Sequence, residues 1–439
     1  MITIYTPQIT NRIRYIFDLF FRELMGVSIT LTSDRIQFQA APHPKFSYGT
    51  IPVGDELFFG AVSLLFEKGI KPQNIRVETS GGEKIFFQLD TIPVSGALEF
   101  DPFAAGFFMV SRYEEYLPHV KDQFQRFPAR ESLAFRNDFL HIPVVNRYAE
   151  MIKRKITERY PEVHFPAKQF EFIPTYDIDS AYAYLNKGWI RNIGGLVRSA
   201  ISADWASCVN RILVLTRQKK DPFDTYGWLH QLHEKYNLRP IYFFLVGDYD
   251  EYDKNISITM SEYRELISSI ADHADVGIHP SYASNTDFNK LKKEVLSLAQ
   301  VLKRDITKSR QHFLKLEMPK TYQHLCDLDI TDDYTMGFAT QPGFRAGICS
   351  SFYFYNLHIE NKTHLRIHPF AVMDATLNYY HNLAPRQFPD IVYPIIDEIK
   401  KAGGTFISIW HNNSLSEENE WSGWRRVYED MIRYTLGKE

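Results

Sequence analysis

The sequence predicts an α/β fold, a β/α barrel of seven units preceded by a smaller α+β domain. Three observations carry that prediction. From about residue 170 onward, short apolar runs bounded by turn residues alternate with longer amphipathic runs, the signature of repeated β/α units. Seven such apolar runs occur in series, which favours a barrel over an open sheet. Residues 1 to about 165 lack this rhythm, and the polar, proline-bearing stretch ERYPEVHFPAKQ reads as a linker, so the chain divides into 1–165 and 166–439.

In the N-terminal region, ITLTSDRIQFQAA and IRVETS read as strands, and FDPFAAGFFMVSRYEEYL as a mixed helical segment. Residues 15–21 form an apolar patch, but Asp18, Arg22 and Glu23 share the same helical stretch. That pattern is an amphipathic helix rather than a signal peptide or a membrane span. Beyond the linker, strands are expected at 172–177, 241–246, 275–279, 309–313, 334–338, 365–368 and 405–410. The clearest helix is 286–303, where Phe288, Leu291, Val295, Leu298 and Leu302 recur every three or four residues, and Ser284 with Asp287 suits its capped start. Residues 181–220 break the alternation as an insertion after the first barrel strand, helical at 190–198 and 206–216. The stretch QPGFRAGICSSFYFYNL is a second long irregular connection.

Composition narrows the class of function. At 439 residues, 44% hydrophobic and 23% charged, the chain is an ordinary globular protein able to bury a large core. A formal net charge of −3 leaves no basic footprint for nucleic acid, and gives no support to membrane attraction either. Cys208, Cys326 and Cys349 are odd in number and far apart, so they read as reduced thiols, neither a disulfide framework nor a thiolate zinc site, and point to the cytoplasm. Aromatic content of 15% suits sugar-stacking surfaces and large cores equally.

Active sites of β/α barrels lie at the C-terminal mouth, where the loops after the strands converge. The expected strand ends carry ionisable groups in unusual number. The first ends in Thr175-Tyr176-Asp177-Ile178-Asp179, the third in His279, the fourth in Arg310-Gln311-His312, the sixth in His368 and the seventh in His411-Asn412-Asn413. Asp177 and Asp179 stand two residues apart on extended chain and so share one face, where one can hold a cation while the other takes a proton; a helix-capping aspartate is the plainer alternative. Pro280 holds His279 extended and ends its strand, and imidazole suits zinc and similar ions. His368-Pro369 repeats the same local form. Arg310 can pin a carboxylate as its anion, and His411, oriented by Asn412 or Asn413, is a candidate general acid.

The order of these segments from about 170 to 435 resembles the polysaccharide deacetylase family, the NodB-like homology domain of carbohydrate esterase family 4. The family's Thr-Phe-Asp-Asp-Gly is matched loosely by Thr175 to Asp179, and its acidic-x-Gly-x-His segment by Asp275 to His279. Arg310-Gln311-His312-Phe313 echoes its arginine motif, and Ile409-Trp410-His411 its last one. The resemblance implies a distorted (β/α)7 barrel, a divalent ion, zinc for preference, and removal of N-acetyl or O-acetyl groups from a carbohydrate. It implies Asp179, His279 and His312 as metal ligands, Asp177 as base, Arg310 as its partner and His411 as acid. Ile178 stands where the family has its second aspartate and Ala283 where it has its second histidine, so the third ligand falls to His312 or His368. Two other outcomes are a non-catalytic sugar-binding barrel with a degenerate metal site, and a glycosidase pairing Asp177 or Asp179 with Asp374. Partners are expected to be a carbohydrate substrate, no nucleic acid and no integral membrane segment.

Overall fold

The computed structural model describes residues 1–90, 96–201 and 204–438, and it is a mixed α/β protein. The chain opens with β1 (Ile2–Tyr5), followed by a helix, α1 (Asn11–Phe17), that runs on as a π-turn stretch Asp18–Leu24. Thr10 caps α1 by accepting from the Ile13 amide. The helical stretch is amphipathic, as expected: Asn11, Arg14, Asp18 and Arg22 form an outward polar stripe at three- and four-residue spacing, and the apolar residues, with Arg12, are buried. β2 (Ile29–Thr32), β3 (Lys45–Gly49) and β4 (Leu57–Gly60) complete a four-stranded sheet in the order β2-β1-β3-β4. All its pairings are parallel.

That all-parallel sheet departs from the α+β expectation for this region: α1 returns the chain between β1 and β2 and α2 between β2 and β3, while the irregular stretch 50–56 joins β3 to β4. IQFQAA is also not a strand. Asp34 accepts from the amides of Ile36 and Gln37, and this cap starts α2 (Arg35–Ala40) despite the alternating apolar residues. A small antiparallel ribbon, β5 (Glu78–Ser80) and β6 (Glu83–Ile85), and the buried helix α3 (Pro102–Val110) follow.

The second sheet holds nine strands. They are β7 (Glu171–Ile178), β8 (Ile241–Phe244), β9 (Asp275–Ile278), β10 (Lys308–Ser309), β11 (Asp332–Asp333), β12 (Phe352–Asn356), β13 (Asn361–Ile367), β14 (Val372–Met373) and β15 (Thr405–His411), in the order β12-β13-β11-β10-β9-β8-β7-β15-β14. Only the pairing of β12 with β13 is antiparallel. A single stretch of chain touches both ends of the parallel array: β13 pairs with β11, the Phe370 amide bonds Met336 O, the Ala371 amide bonds Ile407 O, and β14 pairs with β15. One face of the sheet encloses its own small core, in which Ile241, Phe243, Met373, Ile407 and Ile409 come from strands across the array and Tyr334 from just past β11.

The expected strands recur with shifted ends. The fourth stops at Ser309 because the chain turns at His312–Leu314, where Phe313 and Leu314 take left-handed φ values of 59° and 53°. The fifth is Asp332–Asp333 rather than 334–338, since the Asp333 carboxylate accepts from the Thr335 amide and hydroxyl at 2.9 and 2.7 Å and bends the chain there. The helix expected at 286–303 is Phe288–Leu302, capped by Asp287 rather than Ser284. Residues of both regions join one continuous core.

Candidate active site

Strand register brings the site together before any side chain is considered. His411 pairs directly with Asp177 across β15 and β7, and Ser309 with Ile278 across β10 and β9, so Arg310 and His279 leave neighbouring parallel strands side by side. Met373 pairs with Ile409, which sets Asp374 beside His411. Asp177 lies in β7 and Asp179 directly past its end, and both carboxylates face His279, whose Nε2 stands 4.0 Å from Asp177 Oδ2 and 3.2 Å from Asp179 Oδ1. All six sequence-predicted site residues line or adjoin one pocket, whose walls include Phe313, Tyr379, Tyr380 and Trp421.

Asp179, His279 and His312 each offer one donor atom, and these atoms lie within 4.8 Å of one another. His279 Nε2 stands 3.2 Å from Asp179 Oδ1, and His312 Nε2 stands 3.5 Å from Oδ2. Donors around a tetrahedral zinc at ordinary bond lengths are separated by roughly 3.3 Å, and each imidazole stands at about that distance from one Asp179 oxygen. The hydrogen bonding fits as well. Asp179 Oδ1 is shielded from solvent and makes no hydrogen bond of good geometry among the described residues, despite the nearby imidazole. An orphaned carboxylate oxygen facing two imidazoles is what a cation would satisfy.

The other ring nitrogens are committed. His279 Nδ1 lies 2.6 Å from Arg310 O, and His312 Nδ1 lies 2.8 Å from Asp253 Oδ1, contacts that select the tautomers with Nε2 presented to the centre. Burial alone would raise the Asp179 carboxyl, but the charge of His312 and the nearby His279 and His411 imidazoles bring it well below the usual range. Burial lowers His312, and Asp179 and Asp253 override it and push the group up to about 9.

Around this cluster lie two further pairs. Arg310, fully buried, donates through NH1 to Asp177 Oδ1 at 2.8 Å and through Nε to Tyr334 O at 3.0 Å, with its guanidinium over the Phe243 ring. His411 Nδ1 lies 2.8 Å from Asp374 Oδ1, and its Nε2 is 3.8 Å from Asp179 Oδ2. Burial would lower His411, but Asp374 first and then Asp179 and Asp177 raise it to about 10, so it is an imidazolium at neutral pH.

Some expectations are corrected. Asn412 does not orient His411; its amide is turned to Ser180 O and Phe223 O, and Asp374 does the orienting. That use of Asp374, buried and bonded also to the Ala375 amide, removes it as a free glycosidase carboxylate. His368 is not among the donors near Asp179. Its Nε2 meets Asp332 at 2.7 Å and its ring stacks on Tyr334.

Sequence reading missed Asp253, and it missed a contribution from the N-terminal region. The buried Arg126 lines the pocket, donates through NH1 to Phe313 O at 2.9 Å and pairs with Asp122, while Phe124 packs on the Phe313 ring at 4.9 Å.

A protein-family model described as "Family of unknown function (DUF7033)" matches residues 2–161. No curated protein matches the chain. Among solved structures, the chain is similar to a protein from Mycobacterium smegmatis described as a polysaccharide deacetylase, with a TM-score of 0.40, 12% identity, and 62% of this chain and 86% of that one covered. It is similar to Puue allantoinase at a TM-score of 0.39 and 9% identity, over 62% of this chain and 85% of that one. A polysaccharide deacetylase from Bacillus cereus gives 0.29 and 7%, over 61% and 88%.

Proposed function

We propose that the chain is a metal-dependent hydrolase removing N-acetyl or O-acetyl groups from a carbohydrate or glycan precursor, a divergent member of the polysaccharide deacetylase family. The observation that carries this reading is the convergence of Asp179, His279 and His312, with Asp179 Oδ1 left unbonded, between the Asp177–Arg310 and His411–Asp374 pairs. A distorted (β/α)7 barrel accords with seven positions in the parallel array when β13 and β14 are counted as one strand, and with the small core enclosed by the sheet. A boundary near 165 accords with the family match ending at 161. A cytoplasmic setting accords with three unpaired cysteines. Among the described residues no helix is long and apolar enough to cross a membrane.

In this mechanism Asp179, His279 and His312 would hold a divalent ion, zinc for preference, and the ion would supply Lewis acidity toward the acetyl carbonyl and toward water. Asp177, fixed by Arg310, receives the proton of the attacking water. His411, already an imidazolium and aimed by Asp374, donates the proton that lets the amine or alcohol depart. His312, at the place the arginine motif gives to proline, supplies the imidazole that Ala283 cannot. Tyr379, Tyr380 and Trp421 give the sugar ring apolar faces to stack on.

Metal analysis and acetate release test this together. The full chain is expected to hold about one divalent ion, to lose it in Asp179→Ala, and to release acetate from an acetylated glycan in a chelator-sensitive way. A wild-type chain that holds no metal as purified and takes up none when it is added overturns the proposal.

A further inference from the structure

The net charge of the whole chain conceals a basic hairpin with an exposed apolar face. The chain as a whole is −3, yet residues 187–220 hold seven Lys or Arg against one Asp, so this segment is +6 and the remainder −9. Its helices Trp189–Ile201 and Trp205–Leu215 pack against each other. Ile193, Val197 and Ile201 recur every four residues on the first helix, and Trp205, Val209 and Ile212 at four and three on the second. All six side chains are at least half exposed, Ile201 at 82% and Trp205 at 66%. Cys208 and Val214, by contrast, are buried. The base of the hairpin is pinned, because the Asp221 carboxylate accepts from the amides of Ala183, Tyr184 and Leu185. The insertion is therefore a built element with one uncovered side.

Six exposed large apolar side chains on two packed helices mark an interaction site. Charge decides between occupants. A two-fold contact with a second copy would set +6 against +6, which costs Coulomb energy at close range. An anionic lipid surface reverses that sign, and apolar residues with an interfacial tryptophan beside a basic excess are the pattern of helices that lie in the headgroup layer. Lys219 and Lys220 are paired with Glu418 and Asp224, but exposed pairs of this kind are weak and exchange readily.

We propose that residues 187–220 dock the protein on an anionic membrane surface, with Ile193, Val197, Ile201, Trp205, Val209 and Ile212 entering the acyl boundary. The hairpin lies on the surface and does not span. It follows the strand that bears Asp177 and Asp179, and Tyr184 and Lys187 at its start line a groove with Trp421, which also walls the candidate active site. Docking thus brings the rim of that pocket near the lipid headgroups.

The test is sedimentation of the full chain with vesicles of phosphatidylglycerol and phosphatidylcholine in equal parts, and with phosphatidylcholine alone. Binding to the anionic vesicles is expected to exceed binding to the neutral ones about tenfold and to weaken as salt rises. The double variant Trp205→Ser, Val209→Ser, altered only at exposed positions, is expected to lose about tenfold in partitioning. Arg217→Glu is expected to weaken binding with the apolar face intact. Wild-type protein that stays in the supernatant with both vesicles, or a double variant that binds as well as wild type, overturns the proposal. So does a dimer in sedimentation velocity that the double variant abolishes, since the face then belongs to a second copy.

Discussion

Glu115 joins the two halves of the chain, and its removal has a calculable cost. The carboxylate accepts from Arg112 Nε at 2.7 Å and from Arg345 Nε and NH2 at 2.9 and 2.6 Å, with all three side chains no more than 2% exposed. Burial alone would raise the carboxyl, but Arg345 and Arg112 overcome it and hold it at about 2 against an ordinary 4.5. At about 1.36 kcal/mol per pH unit, that difference is about 3 kcal/mol of stability. Breaking a buried ion pair by deleting one partner typically costs 3–5 kcal/mol, which agrees. Because the folded-state value lies below the unfolded one, the contribution is complete above pH 4.5 and disappears as pH falls toward 2. Glu115→Gln is therefore expected to lose about 3 kcal/mol in urea unfolding at pH 7, with the gap to wild type shrinking to roughly half at pH 3. A loss under about 1 kcal/mol at pH 7, or a gap that does not change with pH, would refute the reasoning.

Three further outcomes follow from the site. Asp253→Asn is expected to weaken zinc binding about 10–100-fold in chelator competition, because it leaves His312 without its orienting carboxylate; unchanged affinity removes Asp253 from the site. Asp374→Asn is expected to lower kcat about 100-fold or more with KM little altered. In the same variant the alkaline limb of the kcat profile should move toward neutral pH, since Asp374 is the main group holding His411 up; an unmoved limb counts against His411 as the acid. Arg126→Ala is expected to reduce zinc affinity several-fold, with Arg126→Lys restoring part of it, as read by zinc titration at matched folded fraction.

What could be read from the sequence was whatever is local and periodic. The parallel strands showed as apolar runs, and the ionisable residues of the site stood out because they follow or end those runs. Asp177 and Asp179 were legible as a pair for the same reason, and His312 through its place beside Arg310. Asp253 was not, since it lies in the irregular DYDEYDKN stretch and reaches His312 across 59 positions of sequence. Asp374 was seen as a carboxylate, but its partnership with His411 depends on the register of β14 against β15, which no local pattern encodes. The misread strand at 35–40 fell to the opposite cause: a two-residue alternation was present, but the Asp34 cap outweighed it.

The N-terminal region bears on the site through strain. Phe313 and Leu314 both sit at left-handed φ directly after His312, a conformation that costs a side-chain-bearing residue roughly 1–2 kcal/mol each. Within the second region the turn is tied by the His312 amide to Pro280 O at 3.1 Å and by the Gln311 amide to the Thr335 hydroxyl at 3.0 Å. It is held from the N-terminal region as well, by Arg126 on the Phe313 carbonyl and Phe124 on its ring, with Tyr252 and Tyr282 on the remaining sides. Tyr282 in turn donates to Phe124 O at 3.3 Å, and its own amide is bound by the same Asp253 that orients His312. The imidazole needed at the centre is thus supplied by the second sheet and aimed through a strained turn that residues 122–126 help to hold in place.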